Sequence, residues 1–103
     1  MATVIGIAWY EPSDWTKLRA IAPDVETLES THGEWLAVAE RSLRDLRLAG
    51  YTPQRVPVGV AALQAWCDLL GRQPDASARS EFASAELQRL HDAGLLESER
   101  PGT

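Results

Sequence analysis

The chain has 103 residues, 45% of them apolar and 24% charged, which suits one folded domain and excludes both two independent cores and wholesale disorder. Its formal net charge is −5 with a pI near 4.9, and its ten Lys and Arg are scattered instead of gathered in a basic stripe. That distribution argues against nucleic-acid binding through phosphate neutralisation and against docking on an anionic membrane, while a basic protein partner stays compatible.

Met1 to Gly6 carry no basic segment, and the apolar run that follows breaks at Glu11, too soon for a signal peptide. No stretch has the apolar length of a membrane span. Thr3 to Tyr10 (TVIGIAWY) is rich in β-branched and aromatic residues and predicts a strand with apolar side chains on both faces, as in a strand covered on both sides. Glu11-Pro12-Ser13-Asp14 ends it, and Ser13 or Asp14 is placed to cap a short helix through about Ala22, with Trp15, Leu18 and Ile21 on one face. Pro23-Asp24 closes that helix, and Val25 to Ser30 reads equally as a helical turn or a loop. Thr31 and Glu34 have the spacing of a capping box, opening a long helix to Ala49 with Trp35, Ala39, Leu43 and Leu46 in its apolar stripe. Gly50 stands where a left-handed residue closes a helix.

Tyr51 to Val58 predicts a second strand, in which Pro53 and Pro57 require an edge position or pairing confined to Arg55 to Val58. A third helix follows over Val60 to Leu70, with Val60, Leu63, Trp66, Cys67 and Leu70 on one face and Gly71 as its stop. Asp75 caps a fourth to about Ala93, with Ala78, Phe82, Ala83, Leu87 and Leu90 as its apolar face and Gly94 as its end. The expected architecture is a helix-rich α/β domain over residues 1–94, of order β-α-α-β-α-α with two short parallel strands and about four helices, followed by a flexible tail over residues 95–103. Two parallel strands are marginal alone. Either helices cover both faces, or the first strand pairs with its copy in a second subunit, and a homodimer through strand pairing or helix packing is the expectation.

Four tryptophans are many for this length, and Trp9, Tyr10 and Trp15 lie close together where the first strand ends. Ligands of open parallel α/β units bind beyond the carboxyl ends of the strands, so Trp9, Tyr10, Glu11 and Trp15, with Arg79 as a polar anchor, are the candidate ligand-binding residues. The competing reading is stronger, because Trp15, Trp35 and Trp66 all fall on apolar helical faces and read as core. Arg79 could also pair with an acidic residue such as Glu11 or Asp14, but a solvated surface charge is the stronger reading.

Cys67, the single cysteine, excludes an intrachain disulfide and points to a reducing cytoplasm. It lies inside a helix on the apolar side, beside Asp68, and reads as a buried thiol instead of an activated one. His32 and His91 have neither the spacing nor the cysteine neighbours of a metal site. Val4 to Trp9 begins like a nucleotide-binding strand, but the next turn, Tyr10-Glu11-Pro12-Ser13, has no glycine to let a phosphate approach. No catalytic residue, metal or cofactor is expected.

The motifs IAWY (7–10), EWL (34–36), AWC (65–67) and EFA (81–83) resemble those of a group of small uncharacterised bacterial proteins, over most of the chain. The resemblance implies a bacterial cytoplasmic α/β protein and no activity. The functional expectation is a non-enzymatic, homodimeric interaction or regulatory module, with an aromatic-pocket ligand binder or enzyme as the alternative. A third reading, an acidic neutraliser of a basic protein, rests on charge alone.

Overall fold

A computed structural model describes residues 3–94. The expected tail over 95–103 lies outside the described residues. Strand β1 (Val4–Trp9) leads to helix α1 (Pro12–Ile21), a single 3-10 turn (Val25–Thr27) and helix α2 (His32–Leu48). Strand β2 (Thr52–Pro57), helix α3 (Val60–Leu70) and helix α4 (Ala76–Asp92) follow, which is the order read from the sequence.

The strands form one parallel sheet in the register Val4↔Thr52 to Trp9↔Pro57. The amides of Thr52 and Val58 donate to the carbonyls of Thr3 and Trp9, both at 2.9 Å. Because the hydrogen-bonding direction alternates along a strand, even-numbered residues of β2 face β1, while Pro53, Arg55 and Pro57 face the outer edge. The prolines therefore cost the ladder nothing: β2 is an edge strand paired along its full length, not only from Arg55 to Val58. By the same alternation Ile5, Ile7 and Trp9 of β1 bond to β2, and the N–H and C=O groups of Val4, Gly6 and Ala8 point outward.

Helices lie on both faces of the sheet. Gly6 lets α4 come close: a Cβ there would stand 3.2 Å from Leu87 and 3.3 Å from the Ala83 carbonyl oxygen. On the other face Trp9 meets Trp35 of α2. Helices α1 and α3 pack on one another and on α2 and α4 respectively, so the core is concentrated beyond the carboxyl ends of the strands, around Tyr10, Trp15, Leu18, Trp35, Leu63 and Phe82.

Local signals explain most boundaries. Pro12 occupies the first turn of α1, where its fixed φ suits the helix and its missing N–H costs nothing. Pro23 pushes Ala22 to extended backbone, ending α1. At the start of α2 the Thr31 hydroxyl oxygen accepts from the Glu34 amide at 3.1 Å, as the capping box requires. The return contact runs from the Thr31 hydroxyl to the Glu34 carboxylate, not from the Thr31 amide. Gly50, at φ 95°, ends α2, with Gly50 and Tyr51 amides returning to Arg47 and Leu46 carbonyls.

One cap departs from the local pattern. Neither Ser13 nor Asp14 caps α1, whose N-cap, Glu11, makes no side-chain bond. The Asp14 carboxylate instead accepts from the Val60 amide at 3.0 Å, across 46 residues of chain. Gly59, the N-cap of α3, has no side chain to satisfy that amide. Asp14 supplies the missing cap and ties α1 to α3.

Candidate functional site

The aromatic strand end is the natural place to look for chemistry. Parallel pairing carries β1 and β2 to the same end of the sheet, where Tyr10, Val58 and Val60 are buried together. Trp9, half-buried, meets the Trp35 ring edge-on at 5.2 Å, and Tyr10 meets it at 5.4 Å. Trp15 stacks on Trp35 at 5.3 Å with 27° between the planes, and also reaches Tyr10 at 5.7 Å. Trp35 is thus the hub on which the other three rings converge, each contact within the range of favourable aromatic pairing.

The sequence assigned Trp35 to the core and left it out of the candidate ligand site. Trp35 is buried, and two of the candidate residues, Tyr10 and Trp15, touch one another. Together they form a packed cluster: Tyr10, Trp15 and Trp35 are exposed by only 4%, 3% and 9%. His32, from the first turn of α2, lies 5.2 Å from the Trp35 ring. Its Nε2 is 2.7 Å from the Tyr10 carbonyl, which can only accept, so the ring donates there.

Arg79 reaches the same region but serves another partner than those expected. Its guanidinium grips the Asp24 carboxylate in a two-pronged contact, Nη1 to Oδ1 at 2.8 Å and Nη2 to Oδ2 at 2.9 Å. Nη1 also donates to the Pro74 carbonyl at 2.8 Å. Glu11 is exposed at the start of α1 and Asp14 is committed to α3, so neither pairs with Arg79. Asp24 was legible only as a helix stop next to Pro23, because its partner lies 55 residues away.

The electrostatics follow from this packing. Hydrogen bonds from Arg79 hold the Asp24 carboxyl below its ordinary range, and the same bonds push the Arg79 guanidinium up. Burial lifts the Tyr10 phenol to about 12, with the nearby Arg79 charge opposing it and Asp24 adding to it. Cys67 is fully buried, and loss of hydration pushes its thiol up, away from the thiolate that nucleophilic chemistry needs.

The remaining tryptophan, Trp66, meets Phe82 edge-on at 5.4 Å, with the Arg72 guanidinium 5.7 Å from its ring centre. Arg72 in turn bonds Glu81 at 2.7 Å. Among the described residues, the side-chain donors Nε1 of Trp15 and Nη1 of Arg19, one turn apart on α1, are buried without a hydrogen-bond partner. Among the described residues, no three His, Cys, Asp or Glu side chains gather into a group that could hold a metal ion. Among them, too, no helix is long and apolar enough to cross a membrane.

The candidate residues therefore interlock: rings fill the end of the core, and Arg79 is already bonded to the Asp24 carboxylate. This arrangement fixes the junction of β1, α1 and α2, and it offers a ligand only the half-buried side of Trp9, over which Arg55 already lies at 4.7 Å. Comparison with known proteins returns no match, whether among family models, curated proteins or solved structures.

Proposed function

We propose that the chain is a non-enzymatic interaction or regulatory module of the cytoplasm, working through protein contacts as a homodimer. The observation that carries this reading is β1. It is an uncharged six-residue strand, VIGIAW, in which every residue is only half-buried although helices lie on both faces of the sheet. A central strand of that composition would be covered completely. Here one side of the strand is left for something else to cover.

The closed aromatic cluster supports the same reading, because its rings pack on one another and the polar groups beside it are engaged, Arg79 by Asp24 and His32 by the Tyr10 carbonyl. Sedimentation equilibrium of the purified chain tests the proposal. A mass about twice the 11.3 kDa of one chain is expected, and a monomer persisting to millimolar concentration would overturn it. A ligand screen followed by tryptophan fluorescence tests the competing pocket reading, which needs a saturable change that Trp9→Phe abolishes.

A further inference from the structure

We infer that two copies of the chain join through their β1 edges, antiparallel and centred on Gly6, to make a continuous four-stranded sheet of order β2-β1-β1-β2. The inference rests on the dimeric reading above and specifies its interface.

Only one edge of the sheet can accept a strand. On the outer side of β2, Pro53 and Pro57 have no N–H, and Arg55 between them is the single donor. Such an edge is blunted against further pairing. The outer side of β1 differs: Val4, Gly6 and Ala8 each present an outward N–H and C=O, and no hydrogen bond to another described residue engages them. From Thr3 to Tyr10 the chain carries no charge, so two copies of an acidic protein meet there without like charges facing.

The partner of this edge is a second copy because the edge is complementary to itself. Two-fold symmetry makes paired β1 strands antiparallel. In an antiparallel pair, residues whose polar groups point at the partner exchange two hydrogen bonds. Centring the axis on Gly6 places Gly6 opposite Gly6 and Val4 opposite Ala8, so all three outward residues of each copy are satisfied. Ile5 and Ile7 then face one another across the axis on the opposite face, which covers two apolar residues that are half-buried in the single chain. Helix α4 packs on both strands, not on β1 alone, and the symmetry sets the two α4 helices side by side on one face.

Disulfide trapping reads the register. Val4→Cys and Ala8→Cys are prepared separately, and the fully buried Cys67 makes the wild type the control for background thiol chemistry. Opposed residues in such a pair have Cα atoms within disulfide reach, whereas Val4 and its own copy would be far beyond it. An equimolar mixture oxidised under mild conditions should give a disulfide-linked species of twice the chain mass, absent from either variant alone and from the wild type. Circular dichroism and sedimentation of each reduced variant confirm that both fold and associate. Linkage within one variant alone, or a sedimenting dimer that the mixture fails to trap, would overturn β1 pairing in this register while leaving the dimeric reading intact. A monomeric wild type would overturn both.

Discussion

Asp14 shows how a single side chain can hold two helices that the sequence presents as unrelated. As an Asp near a helix start it reads as a local cap, yet Pro12 begins α1 three residues too early for that role, with Glu11 at the N-cap position. Its carboxylate serves the Val60 amide instead. Asp14→Ala should cost about 1 kcal/mol in chemical denaturation, a typical helix-cap loss, with Asp14→Asn retaining most of it. The Asp24–Arg79 pair acts at the same scale. Arg79→Met should destabilise by about 1.5–3 kcal/mol, the range for hydrogen bonds to charged groups. Since the folded Asp24 titrates below its unfolded value of 3.8, its contribution is complete above that pH and disappears as pH falls through the lowered folded value. Asp24→Asn should therefore flatten the acid limb of a stability–pH profile. Tyr10 acts in the opposite direction. Its folded phenol is raised to about 12 from 10.0, so stability falls as pH rises across that window. Unfolding curves of Tyr10→Phe should show a shallower alkaline loss than the wild type.

At the scale of elements, the apolar periodicities placed every helix and both strands, because each stripe had a partner to bury against. Where a stripe outran its partner the sequence overstated burial: Leu70 is 52% exposed at the end of α3, and Ile21 36% at the end of α1. The seat of α4 on β1 depends on Gly6, whose sequence context resembles a phosphate-binding strand but whose role is close packing. Gly6→Ala would bring a methyl to 3.2 Å from Leu87. The overpacking should cost about 1–3 kcal/mol in thermal or denaturant unfolding. The prolines of β2 were legible as edge residues. Their phase in the ladder was not, since it depends on which carbonyl Thr52 meets, and that is a property of the paired strands alone.

For the whole molecule, the order β-α-α-β-α-α and the parallel sheet followed from element spacing, and so did the shortage of strands. The candidate site was legible only in part. Of the residues clustered in sequence, Tyr10 and Trp15 touch one another while Trp9 meets Trp35, and Trp35, His32 and Asp24 reach the same end of the sheet through tertiary packing that no local motif records. Once those three are in place, the cluster reads as a closed joint between elements, and the unfinished feature of the molecule is the outer side of β1. The most direct measurement of that claim is residue-resolved amide hydrogen exchange at a series of protein concentrations. Pairing of β1 with its copy predicts that the Val4, Gly6 and Ala8 amides become more protected as concentration rises, while Arg55 on the outer side of β2 does not change. Rapid, concentration-independent exchange at Gly6 and Ala8, in a sample whose Ile5 and Ile7 amides are protected, would contradict it.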